Sequence, residues 1–300
     1  TFTFSEAVKG FTNADITVQN GTLSPVSSLD GGITWTGTFT PIIVDLRPTN
    51  VIKVASASYT DVAGNTGSGG TSANYEVDTA QPWVATTLSD SALKLGETSV
   101  VTFTFSEAVT GFDNADITVQ NGSLSTVTSI DGGITWTGTF KPTSDIEDAT
   151  NSIRVNKSGY TDLIGNVGSS PGNSLSYEVD TKAPTVAITL SDSALKVGET
   201  SVVTFTFSEA VKGFTNADIT VQNGMLSTVT SSNGGITWTG AFTPTRAITD
   251  TTNVITVANA SYTDVAGNTG SAGTSLNYEV DMKAPTVAIT LSDSALKVGE

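Results

Sequence analysis

The chain has 300 residues, with 29 acidic and 13 basic side chains, a net charge of −16, and neither cysteine nor histidine. This excludes disulfide and thiolate–metal frameworks, imidazole zinc sites, cysteine nucleophiles and Ser-His-Asp triads. The acidic balance argues against nucleic acid and against anionic membrane surfaces as partners, since both want basic patches.

No apolar run reaches membrane-spanning length, so no membrane insertion is expected of this segment. The chain opens inside a strand motif, from which we expect the natural N-terminus to lie elsewhere. That motif organises the sequence. Thr1-Phe2-Thr3-Phe4-Ser5-Glu6 returns as Thr102-Phe103-Thr104-Phe105-Ser106-Glu107 and again as Thr204-Phe205-Thr206-Phe207-Ser208-Glu209. Apolar and hydroxyl residues alternate and then stop at an acid, the pattern of a half-buried strand that ends in a loop carrying a carboxylate.

A period of this length is far beyond that of a solenoid repeat, so each copy is expected to fold separately. The copies divide the chain into an incomplete repeat at 1–79 that lacks its first strand, complete repeats at 80–181 and 182–282, and the opening of another at 283–300.

In the copy at 182–282, residues 185–190 read as strand one and 191–200 as a polar turn. Residues 201–208 form strand two and 218–221 strand three. Asn223-Gly224 is a tight-hairpin signal, because both residues tolerate positive φ. Residues 225–231 form strand four and 236–242 strand five, with Ile236, Trp238 and Phe242 on one face. Strand six spans 253–262 and strand seven 275–280.

Seven short strands without helical periodicity predict an all-β fold: seven-stranded antiparallel Ig-like β-sandwiches in tandem, in an extended array. Trp35, Trp136 and Trp238 recur at one place and read as core filler. Trp83 stands where the next copy has Thr185, and is expected to pack at a domain junction.

The combination of Asp-Thr-Lys-Ala-Pro-Thr-Val at 180–186, the Phe-Ser-Glu-Ala-Val strand end and Tyr-Thr-Asp-Val-Ala-Gly-Asn at 262–268 resembles the bacterial immunoglobulin-like repeats of large surface adhesins. The resemblance covers the whole chain. It implies an extended extracellular stalk, often stiffened by calcium, at the bacterial cell surface. The second copy departs from the last motif at Leu163-Ile164 but keeps Asp162, Gly165 and Asn166.

Catalysis is not expected. Acids that recur in every copy suit a structural role better than three active sites, although a carboxylate pair could in principle do glycosidase chemistry. Ca²⁺ is the better partner for them, since it takes six to eight hard oxygen ligands. Strand order predicts that Glu209, Asp218 and Asp264 gather near Asp180, with Asn268 adding an amide oxygen. One junction earlier the same set is Asp78, Glu107, Asp116, Asp162 and Asn166. Asp90, Asp145, Glu147 and Asp148 are expected near the second junction.

Two plainer readings stand beside the metal. Lys182 and Lys212 can neutralise part of the second cluster, and Asp116, Asp218 and Asp264 can cap turns. At the level of function, the first expectation is a stalk with Ca²⁺ at its junctions, whose partners are neighbouring repeats. Two alternatives remain. One is an extracellular filament subunit joined end to end by strand addition. The other is a spacer or glycan-binding module of a secreted hydrolase, which would need exposed aromatic platforms.

Overall fold

The computed structural model describes residues 1–43, 46–169, 171–292, 294–295 and 297–299. It is an all-β protein whose second and third copies share one strand order, the first repeating the part of it that residues 1–79 supply. In the third copy Val186–Leu190 pairs antiparallel with Ser201–Phe207, which pairs in turn with Thr237–Pro244. Gly224–Leu226 and Thr230–Ser231 complete that sheet. Facing it, Thr249–Asn253 pairs antiparallel with Tyr278–Asp281, and Ile219–Val221 pairs with Ile255–Val257.

The segment read as a polar turn, 191–200, holds a further strand. Ala194–Lys196 lies parallel to Tyr278–Asp281 in the facing sheet. The chain therefore begins in one sheet and crosses to the other within a few residues. The crossing is fixed locally. Asp192 Oδ1 accepts the Ala194 amide at 3.0 Å, and the Asp192 amide donates to Ser201 Oγ at 3.0 Å. Leu195 then enters the core at 2% exposure. Lys94 and its neighbours in Ala92–Lys94 do the same in the second copy.

The alternation Val-Thr-Phe-Thr-Phe decides the core. Val203, Phe205 and Phe207 point inward and are buried, with the threonines between them on the outer face. Phe214 meets Phe205, Phe207 and Trp238 edge to face at 5.3, 4.9 and 5.5 Å between centroids, the geometry the ring quadrupole favours. The second copy repeats it with Phe103, Phe105, Phe112 and Trp136. Each recurrent tryptophan is half-buried, and its indole N–H donates to a glycine carbonyl three residues earlier, as Trp238 does to Gly235 at 3.0 Å.

Asn223 adopts φ 52°, but the turn is not the expected hairpin: Ile219–Val221 pairs with Ile255–Val257 and Gly224–Leu226 with Thr237–Pro244, so Asn223-Gly224 carries the chain from one sheet to the other. Ile236 lies before the observed strand and is exposed, so it does not share the Phe242 face. Trp83 is 53% exposed and does not pack away at the junction. It is the one exposed large aromatic among the described residues.

Candidate metal sites at the domain junctions

Each junction gathers three carboxylates from separate stretches of chain. Asp180 ends the last strand of the second copy, Tyr177–Asp180. Glu209 follows the strand Ser201–Phe207, and Asp264 closes the short strand Thr263–Asp264. Carboxylate oxygens of Asp180, Glu209 and Asp264 lie within 4.8 Å of one another. Asp78, Glu107 and Asp162 form the same group one junction earlier.

The Asp-x-x-Gly-Asn turn builds the deepest part of each site. Gly267 takes φ 100°, open to glycine and costly for other residues. With that turn the amides of Gly267 and Asn268 both donate to Asp264 Oδ1, at 2.6 and 2.8 Å. Asn268 Nδ2 donates to Asp264 Oδ2 at 2.8 Å and reaches across the linker to the Asp180 carbonyl at 2.8 Å. Asp264 is fully buried, so these donors replace the water it has lost. Asp162 and Asn166 repeat the turn, with Asn166 Nδ2 donating to the Asp78 carbonyl at 3.1 Å.

Two sequence-based placements need correction. Asp116 and Asp218 do not join the clusters. Each sits at the third position of a one-turn 3₁₀ helix, Asn114–Asp116 and Asn216–Asp218, where its carboxylate accepts the cap amide of Asp113 or Thr215 at 2.9 and 2.7 Å. Local capping wins because the orphan amide lies three residues away. Asn166 and Asn268 also take a different part. Their amide nitrogens face the carboxylates, and the Asn268 oxygen instead accepts the Leu95 amide of the preceding copy at 2.9 Å. Through these hydrogen bonds they brace the junction.

The acids expected from the preceding copy behave unequally. Glu147 faces the second junction and pairs with Lys182 at 3.7 Å. Asp148 accepts from Asn121 and Thr150, and Asp90 accepts from Ala92, so both are engaged within their own copy. Asp145 occupies a turn position with φ 62°. Lys212 donates to the Val265 carbonyl at 3.2 Å. The contact that sequence reasoning missed is the reach of 94–95 onto the 264–268 turn. Its only signal was the apolar Leu93 and Leu195 inside otherwise polar segments.

Charge crowding shows in the acidities. Burial, reinforced by Asp264, Asp180 and Glu147, pushes the Glu209 carboxyl up to about 7 against a partial offset from Lys182. Asp180 is also raised, first by burial and then by the neighbouring acids despite the Lys182 amide. Burial would raise Asp162 too, but the hydrogen bonds from Asn166, Gly165 and Ile164 outweigh it and hold this carboxyl below its ordinary range. The first junction has Ala80 where the second has Lys182. Three hard oxygen donors brought this close, with a backbone carbonyl pinned beside them, match the ligand chemistry of a hard divalent cation.

Sandwiches in tandem, linked by short segments with acids at their seams, define the class: immunoglobulin-like domain arrays. The profile of the bacterial Ig-like domain matches residues 1–77, 78–179 and 180–280, and the chain belongs to that family. Among solved structures it is similar to the Escherichia coli adhesin FdeC, at 15% identity and TM-score 0.35 over 91% of this chain and 84% of that one. It is also similar to the Yersinia pseudotuberculosis adhesin InvE, at 15% identity and TM-score 0.28 over 66% and 58%. The I9–I11 tandem from titin gives 8% identity and TM-score 0.28 over 87% and 81%. A comparison with curated protein sequences gives no match. No helix among the described residues is long and apolar enough to cross a membrane.

Proposed function

We propose that the chain is a length of stalk from a secreted or surface-bound bacterial adhesin, and that Ca²⁺ at its junctions stiffens it. The role is structural, not catalytic: the repeats carry an adhesive element away from the cell. The observation that carries the reading is the recurrence of one carboxylate triad at both seams. In each, an acid at the end of one copy meets two acids of the next.

A divalent ion held by Asp180, Glu209 and Asp264 would bond both copies at once. It would also offset the burial and the neighbouring negative charges that push the Glu209 carboxyl up to about 7. Asp78, Glu107 and Asp162 would hold the ion of the first junction. The polar outer faces, alternating threonines over a buried aromatic core, suit a solvated rod.

Isothermal titration of the whole chain with CaCl₂ tests this. Two sites are expected, one per cluster, and the substitution Glu209→Gln should abolish or weaken at least tenfold the binding at one of them. Heat-silent titration with no saturable site would overturn the reading.

A further inference from the structure

We propose that the second repeat is the yielding unit of this array: it opens before the third, so a pull along the chain lengthens it there first. The two repeats are built alike. Val84–Leu88 pairs with Ser99–Phe105 in one, and Val186–Leu190 with Ser201–Phe207 in the other. Phe103, Phe105 and Phe140 of the second core stand where the third has Phe205, Phe207 and Phe242. At two inner positions, however, a hydroxyl of the second repeat is buried without a partner among the described residues, and the third has no such group.

The first position lies on the opening strand. Ile188 sits opposite Phe205 and is 5% exposed, an apolar side chain in an apolar place. Its counterpart opposite Phe103 is Thr86, also 5% exposed. Thr86 Oγ1 has lost its water and gains no hydrogen bond among the described residues. The folded state therefore bears the desolvation of that hydroxyl uncompensated.

The second position is the tyrosine that precedes the Asp-x-x-Gly-Asn turn. Tyr262 Oη donates to the Ser271 carbonyl at 2.8 Å, and Tyr59 Oη of the first repeat donates to the Ser68 carbonyl at 2.7 Å. Tyr160, 1% exposed, finds no such acceptor for its hydroxyl among the described residues. Chain length accounts for the difference. The stretch from Asn166 to Tyr177 is one residue longer than those from Asn65 to Tyr75 and from Asn268 to Tyr278, and it contains Pro171. Strand pairing is shorter there too. Gly70–Thr71 and Gly273–Thr274 each pair at two residues with a neighbouring strand. Among the described residues the second repeat keeps at that place the single bridge of Arg154 with Asn173.

At about tenfold for each unpaired hydroxyl, the second repeat is open about 100-fold more often than the third. That order of opening is a property of the two cores, and only the load upon it rests on the stalk reading. Hydrogen exchange of the whole chain in chelator reads the opening of each repeat. The strands Ser99–Phe105 and Ser201–Phe207 are identical in sequence, so their amides share intrinsic rates, and peptides that reach Thr110 or Lys212 tell them apart by mass. The strand of the second repeat should exchange at least roughly tenfold faster. Thr86→Val, which removes the hydroxyl and keeps the size, should slow it about tenfold and leave the third repeat unchanged. The two tyrosines should respond with opposite signs. Tyr160→Phe should slow exchange in the second repeat, whereas Tyr262→Phe, which strands the Ser271 carbonyl, should speed it in the third. Equal exchange in the two strands would overturn the proposal, as would Thr86→Val or Tyr160→Phe chains that exchange no more slowly. A calcium titration without a saturable site would leave these results standing, so the two readings fail separately.

Discussion

Asp264 and Glu209 illustrate how one cluster can hold acids in opposite circumstances. Asp264 is fully buried and accepts from the Gly267 and Asn268 amides and the Asn268 side chain. Replacing it with alanine strands those donors, so Asp264→Ala should destabilise the third repeat by about 2–3 kcal/mol, metal or no metal, in urea unfolding. Glu209 is disfavoured as an anion by burial and by three neighbouring acids. Its folded-state carboxyl titrates at about 7 against an ordinary value of 4.5, so the folded state holds the extra proton between those limits. Stability then falls as pH rises through that window. In chelator the third repeat should melt higher at pH 5 than at pH 7.5, and Glu209→Gln should flatten the difference. Calcium should reverse the slope, because metal and proton compete for one carboxylate.

At this scale the sequence points to the acids that come together, one at the mouth of a strand and one in the Asp-x-x-Gly-Asn turn. It misleads where the competing use of the acid is local. Asp116 and Asp218 look identical to the cluster acids in composition and spacing, but each lies three residues from the amide it caps. The orientation of Asn268, amide nitrogen toward the carboxylates and oxygen toward Leu95, depends on a residue 173 positions away. No local pattern encodes that.

The elements follow from alternation and turn chemistry. The strand Ser201–Phe207 is legible from its two-residue periodicity, whereas the Asn223-Gly224 turn, expected as a hairpin, joins strands of different sheets, which local turn chemistry does not encode. The crossing strand Ala194–Lys196 was not legible, because three residues offer too little alternation to mark a strand. Its evidence is tertiary: Leu195 in the core and parallel pairing to Tyr278–Asp281. The closeness of the first strand to the Gly273 backbone can be tested directly. Gly273→Ala forces a methyl against Val186 and should cost about 1–3 kcal/mol, as overpacked cores do. Gly70→Ala meets open space and should leave denaturant midpoints nearly unchanged.

On the scale of the molecule, the question is what holds one sandwich relative to the next. The contacts that cross the second junction are few and polar. Leu95 donates to Asn268, and Asn268 donates to the Asp180 carbonyl and, at 3.2 Å, to its carboxylate. The Lys182–Glu147 pair is half-exposed and contributes little. Against these stand three carboxylates crowded within 4.8 Å of one another at the seam. On the proposed function a bound cation would turn that crowding into a shared set of bonds, and rigidity of the array and occupancy of the clusters should then rise and fall together.

Small-angle scattering of the whole chain, recorded in calcium and in chelator beside thermal unfolding of the same samples, tests this most directly. A ligand that binds only the folded state at about 100 times its Kd stabilises by about 2.7 kcal/mol per site. The account predicts a higher melting temperature in calcium, a longer and narrower scattering profile, and loss of both effects in a chain carrying Glu107→Gln and Glu209→Gln. Identical scattering and melting in calcium and chelator would contradict it.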